Sequence, residues 1–301
     1  MNYEVFVDYF TKTVNEYNED NVSVTKYAWW VLDGAHSTRH LSVTDNDATW
    51  FVNALSKYLE EYVFRFDVPL SRIVERAVFS ASVDLELMMK LVEHSLNEYI
   101  PPTSTISILR YNPVKNILEL YKLGDSSALL IVKREKNSET VYSVTGDKRL
   151  GYWEEFFIEK FKKYIDEGLG YQGARQKLYE DYIIPITKKY LNNLDDDKGY
   201  FALSPFMDYE VIGKGDYVTV SLDDVDEFRA LLISDGMEKI INPFNVVNGL
   251  DELLKMVEEK GWSEVYRVIK DLSYSDRYFK KFGRLKIIDD ASGVYVRGKR
   301  V

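Results

Sequence analysis

Between Thr103 and Thr145 the apolar pattern breaks into short runs, Ile106 to Tyr111, Ile117 to Leu123, Ala128 to Val132 and Val141 to Val144, with turn residues between them. That spacing predicts an antiparallel meander. Asn112-Pro113 and the Lys133 to Ser138 stretch suit hairpin turns, and Gly124-Asp125-Ser126 suits a tight corner. Two long helical patterns precede the meander. In the first, Phe51, Leu55, Tyr58, Leu59, Tyr62 and Val63 recur at helical spacing after the cap candidates Asp45-Asn46-Asp47; the second runs from about Ser71 to Tyr99 and is stopped by Pro101-Pro102. Val22 to Leu32 reads as one buried strand running into an Asp33-Gly34 turn. After the meander come a charged helical insert at about 148–198 and strands at Gly199 to Leu203, Tyr217 to Leu222 and Phe228 to Ser234. Helices follow near Leu250 to Lys260 and Ser263 to Leu272, with a last strand at Gly293 to Val296. Helices segregated from strands favour an α+β layered architecture over a regularly alternating parallel sheet. No repeat or linker divides the chain, so residues 1–301 read as a single domain carrying the insert.

Composition narrows the chemistry. The chain has 46% hydrophobic and 14% aromatic residues, ample for a buried core, and Trp29, Trp30, Tyr58 and Tyr62 fall at core-packing positions. The absence of cysteine removes disulfides, thiolate metal sites and a cysteine nucleophile. A net charge of -10 with no basic stripe argues against a nucleic-acid partner. No apolar run has the length of a membrane span, and Met1 to Phe10 lacks a signal-peptide pattern, so the expectation is no membrane partner and a cytoplasmic location.

Four acidic stretches stand at strand ends or turns: Asn18-Glu19-Asp20, Asp33-Gly34, Ser234-Asp235-Gly236 and Asp289-Asp290-Ala291-Ser292. Scattered carboxylates with little His are hard oxygen ligands, which suit Mg or Mn better than Zn. Taken singly, Asp-Gly sequences are ordinary turns.

In their order along nearly the whole chain, these motifs resemble those of the metal-dependent serine/threonine protein phosphatases of the protein phosphatase 2C type. Asn18-Glu19-Asp20, Trp30-Val31-Leu32-Asp33-Gly34, Thr103-Ser104-Thr105, Leu123-Gly124-Asp125-Ser126, Leu231-Leu232-Ile233-Ser234-Asp235-Gly236 and Asp289-Asp290-Ala291-Ser292 carry the resemblance. It implies a four-layer αββα sandwich, two antiparallel β-sheets flanked by helices, with the insert as a flap beside the active site. It also implies two Mn or Mg ions that activate a water for hydrolysis of phosphoserine or phosphothreonine in a protein substrate. Asp20, Asp33, Asp235 and Asp289 are the implied metal ligands, with the Gly34 carbonyl, and Asp125 serves a third, weaker site. Asp33 and Asp235 are the residues whose loss should cost most activity.

The chain departs from the family pattern near the phosphate. No Arg precedes Asn18, where many members grip phosphate, which leaves Lys12, Lys26 and Arg39 as candidate substitutes. Ala35-His36-Ser37 replaces a Gly-rich run, and His36 is a candidate proton donor to the leaving group. Ser127 stands where the corner motif has Arg. The departures keep two alternatives open, a catalytically weak protein that binds a phosphorylated partner and a phosphohydrolase acting on a small metabolite.

Overall fold

Strand alternation decides the layering. In the computed structural model, which describes residues 3–35, 43–91, 99–134 and 138–301, β3 (Ala28–Ala35) sends Ala28, Trp30 and Leu32 to one buried face and Trp29 and Val31 to the other. A strand buried on both faces must lie inside a stack of layers. β4 (Thr103–Asn112) behaves alike, with Ile106 and Ile108 on one side and Leu109 and Tyr111 on the other.

Among the described residues ten strands form two antiparallel five-stranded sheets. One has the order β2 (Asp20–Val24), β3, β4, β5 (Ile117–Leu123), β8 (Asp216–Ser221). The other has the order β1 (Tyr3–Lys12), β10 (Ala291–Arg300), β9 (Val225–Ile233), β6 (Ser127–Arg134), β7 (Ser138–Val144). Their facing sides enclose a core of Trp29, Val31, Leu109, Leu130, Leu232 and Val294. Helices α1 (Asp47–Tyr62) and α2 (Leu70–Leu91) cover the outer face of the first sheet, while α7 (Leu250–Lys260) and α8 (Trp262–Ser275) cover that of the second. This is the expected αββα sandwich. Each fully buried Leu, Ile or Phe stabilises it by roughly 1.5–3 kcal/mol. No helix among the described residues is long and apolar enough to cross a membrane.

Several elements differ from the sequence expectations. The Val22 to Leu32 strand is a hairpin, because Thr25 Oγ1 bonds the Ala28 carbonyl (2.8 Å) and accepts from the Ala28 amide (3.0 Å), turning the chain between β2 and β3. The meander is divided between the sheets: β4 and β5 belong to one, β6 and β7 to the other. Gly124, at φ +91, makes that crossover, and a Cβ there would lie 2.4 Å from the Thr105 methyl. Gly199 to Leu203 forms only isolated bridges, Leu203 to Ser104 and Tyr200 to Leu191, while Phe201 and Leu203 still pack into the core. β1 has no counterpart in the sequence expectations and pairs with β10 along its whole length.

The insert comprises α3 (Lys148–Asp166), α4 (Gly170–Leu178), a π-helical turn (Tyr179–Ile183) and α5 (Ile184–Tyr190). Asp147 caps α3 by accepting from the Arg149 amide at 2.9 Å. Phe161, Tyr164, Ala174 and Leu178 make a small core with Phe279 from the loop after α8, where the Tyr171 and Phe279 rings stack with centroids 5.5 Å apart.

Candidate metal centre

The carboxylates converge because strand parity aims them. Asp20 and Asp33 are direct cross-strand partners, and they continue the alternation that turns Val22 and Val31 into the inter-sheet core. Asp125 precedes β6, whose Ser127 pairs with Ile233 at the end of β9. Asp235 opens a short helix, α6 (Asp235–Glu238), directly after β9, and Asp289 and Asp290 lead into β10. All of these positions lie at one end of the sandwich. The Asp235 amide donates to Asp33 Oδ2 at 3.3 Å, and Gly236 lets α6 approach β10 so closely that a Cβ would sit 1.8 Å from the Asp290 carbonyl oxygen.

The two ends of this acidic cluster are unlike each other. Burial, reinforced by Asp290 and Asp235, pushes the Asp20 carboxyl up to about 8, against hydrogen bonding from Ser292 and Ser234. Burial together with Asp20 and Asp235 raises Asp33 well above the carboxylate range, and burial with Asp235 and Glu154 takes Asp125 up to about 7. Asp20 is 6% exposed, and its Oδ2 has no hydrogen-bond partner among the described residues. An orphaned buried oxygen beside a second carboxylate needs a proton or a cation. At the other end, Lys239 Nζ donates to Asp289 Oδ2 at 2.6 Å and to Asp235 Oδ2 at 3.3 Å, and Lys286 Nζ donates to Asp289 Oδ1. Burial alone would raise Asp289, but the two ammonium groups outweigh it and hold this carboxyl below its usual range.

Among the described residues no three carboxylates or imidazoles are gathered closely enough to form a metal cage. Mg, however, keeps several waters and binds through one or two carboxylates, so Asp20 and Asp33, with the Gly34 carbonyl next in the chain and Asp125 nearby, are a donor set that could hold one divalent ion. The sign of the titration gives a test. Asp20 and Asp125 keep their protons in the folded chain to about pH 8 and 7, whereas in the unfolded chain carboxyls titrate near ~4. Between those limits the native state binds more protons, so the stability of metal-free protein falls as pH rises. The Asp289 contribution is already complete across this window, since a depressed carboxyl loses its stabilisation only at lower pH. In chelator, Tm is expected to drop from pH 5 to pH 8, and Mn should restore it at pH 8. A Tm that rises over that range would mean that Asp20 and Asp125 are already ionised.

Lys12 ends β1 on an exposed position. Lys26 lies over the Tyr27 ring, 5.0 Å from its centroid, in the β2–β3 turn. His36 and Arg39 lie outside the described residues. Asp290, adjacent to a predicted ligand, ties down residues 13–19 instead. It accepts from Thr13 Oγ1 (2.5 Å), Asn15 Nδ2 (3.1 Å) and the Glu19 amide (2.9 Å), fixing the segment that delivers Asp20. Ser127 donates to Glu238 Oε2 at 2.8 Å, so the corner makes a hydroxyl-to-carboxyl hydrogen bond there in place of an ion pair.

Sequence reasoning missed Lys239, Lys286 and Arg284. Arg284 is 1% exposed; it pairs with Asp276 Oδ2 at 2.9 Å, bonds the Ser273 and Asp276 carbonyls and lies 4.8 Å from the Phe279 ring centroid. It pins the loop that carries Lys286. A cleft of about 640 Å³ opens beside that loop, with Tyr17, Glu19, Tyr171, Arg175, Tyr274 and Lys286 in its wall. The Arg175 guanidinium makes no ion pair or hydrogen bond among the described residues.

No family model and no curated protein matches the chain by sequence. Among solved structures it is similar to the catalytic domain of the serine/threonine protein phosphatase PstP in complex with two manganese ions, at 14% identity and a TM-score of 0.50, over 99% of this chain and 98% of that one. The chain has the protein phosphatase 2C-type fold. It is also similar to PstP/Ppp of Mycobacterium tuberculosis, at 16% identity and a TM-score of 0.48 over 98% and 97% of the two chains. The regulatory component PppA of Pseudomonas aeruginosa is similar at 13% identity and a TM-score of 0.49, over 99% and 98%.

Proposed function

We propose that this chain is a phosphoserine/phosphothreonine protein phosphatase that works with a divalent Mn or Mg ion. The observation that carries the reading is the Asp20–Asp33 pair, directly opposite each other at the end of the inter-sheet core, with Asp20 buried and no partner on its Oδ2 among the described residues. Like charges placed cross-strand destabilise a sheet, so the pair makes physical sense as a cation site. A divalent ion held there supplies a water of lowered pKa and positive charge for the phosphoryl oxygens.

The residues of the chain do the rest. Arg175 in the cleft wall offers a planar fork to a phosphate, a function left open by the absence of an Arg before Asn18. Tyr17, Tyr171 and Tyr274 give the same cleft apolar surface for the peptide around the phosphorylated residue. The insert therefore contributes both phosphate capture and substrate choice. The Asp235 amide, donating to Asp33, holds that carboxylate toward the inter-sheet space.

The test is phosphate release from phosphoserine and phosphothreonine peptides in Mn, in Mg and in chelator. Release is expected with either metal and none in chelator. Arg175→Ala should raise KM about tenfold or more with a smaller effect on kcat, since a charged hydrogen bond contributes roughly 1.5–3 kcal/mol. Lys239 and Lys286 on Asp289 favour a second reading, a catalytically weak protein that binds a phosphorylated partner. Phosphopeptide binding without turnover in either metal would establish that reading and remove the first.

A further inference from the structure

We propose that Lys239 and Lys286 are a built-in replacement for one divalent cation, so that the Asp235–Asp289 end of the site is neutralised by the chain itself and takes no metal. The inference rests on the reading of this cluster as a metal centre, and the lysine geometry carries it. Two ammonium groups bring two positive charges, the charge of one divalent ion. They are bound where such an ion would act: Lys239 Nζ bridges Asp289 Oδ2 (2.6 Å) and Asp235 Oδ2 (3.3 Å), and Lys286 Nζ takes Asp289 Oδ1. Both oxygens of Asp289 are thus committed to lysine.

The arrangement is built into the fold. Lys239 stands four residues after Asp235, one turn along the helical segment that follows β9, which puts its stem on the same side. Lys286 stands three residues before Asp289 on the loop that Arg284 pins. The Lys239 and Asp289 side chains are each only 10% exposed. A buried ammonium released from such a pair would be left uncompensated, so a divalent ion from solution must displace a bonded charge as well as shed its own water. Asp20 Oδ2, by contrast, has no partner to displace among the described residues. The two halves of one acidic cluster are therefore unequal, one closed by lysine and one open to an ion.

Ion counting on metal-free protein tests this without reference to turnover. Mn titration, followed by calorimetry and by electron paramagnetic resonance of free Mn, is expected to give one ion per wild-type chain. Lys239→Met, which keeps the stem and removes the charge, is expected to bind one ion more than wild type. Its Tm in chelator should fall and then recover in Mn, because Mn takes over the neutralising role. Lys239→Arg keeps the charge and should keep the wild-type count. Two ions on the wild-type chain, or a folded Lys239→Met chain with an unchanged count, would overturn the proposal; so would a Lys239→Met chain that remains unfolded in excess Mn while Lys239→Arg folds. A wild-type chain that binds no Mn would remove the metal-dependent reading. A gain of one ion in Lys239→Met would even then uphold the lysine replacement.

Discussion

Asp33→Asn is expected to reduce phosphopeptide hydrolysis by on the order of 10²–10³-fold and to abolish the rise in Tm on adding Mn. Asp33 is the carboxylate that Asp20, Asp235, Asp125 and Asp289 all act upon, and the Asp235 amide holds it in place. Loss of a metal ligand removes several kcal/mol of transition-state charge stabilisation, and each ~1.4 kcal/mol is a factor of ten in rate. The same change removes a carboxyl whose ionisation burial and the neighbouring carboxyls disfavour, so in chelator at pH 8 the variant should melt above wild type. This opposite movement of stability and activity separates a ligand from a structural aspartate. A variant that melts lower in chelator and keeps its response to Mn would place Asp33 outside the metal site.

The second large effect is expected far from the site. Arg110, fully buried on β4, donates through Nε to Glu119 Oε2 at 2.8 Å and through its other nitrogens to the carbonyls of Val63, Arg65 and Val68. It fastens the loop after α1 to the first sheet. Arg110→Ala leaves Glu119, itself 3% exposed, without its cationic partner and with only the Tyr217 hydroxyl, and it takes a donor from each of three carbonyls. Breaking a buried pair from one side costs about 3–5 kcal/mol. For a chain of this size that corresponds to a fall in Tm of roughly 10 °C. Urea denaturation with an unchanged m-value would confirm it, and a loss under about 1 kcal/mol would mean that water enters and solvates Glu119. The number of bound Mn ions should not change.

Much of the layering can be read from residue order, because long amphipathic helices and short apolar runs have distinct periods. Where both faces of a strand are apolar, that signal fails. β1 places Tyr3, Val5 and Val7 on one side and Phe6 and Phe10 on the other, and its partner β10 lies at the far end of the chain. Its pairing is a tertiary fact. Phe201 and Leu203 show the converse: their alternation is real and fills the core, yet among the described residues the segment forms a single β-bridge to β4, at Ser104.

The candidate site follows the same division. Asp20, Asp33, Asp235 and Asp289 stand out as carboxylates at turns, and the fold brings them to one end of the sandwich. Their inequality is not written locally. Lys239 looks like a solvated helix charge until β9 and β10 are side by side and Asp289 lies against it, and Lys286 acquires its place only when Arg284 ties down the preceding loop. Arg175 reaches the cleft because the insert packs on Phe279, a contact between segments about a hundred residues apart.

That last contact changes what counts as a module. The aromatic core of the insert is completed by Phe279, and the loop bearing Phe279 also bears Arg284 and Lys286. The cleft wall supplied by the insert and the Lys286 ammonium are thereby mechanically joined, although they are remote in sequence. On the proposed function, the unit that would set specificity is discontinuous, residues 148–198 together with 276–287. Transplanting the first segment alone would carry over the Tyr171 and Arg175 cleft wall while leaving behind the Phe279 ring it rests on and the Lys286 charge on Asp289.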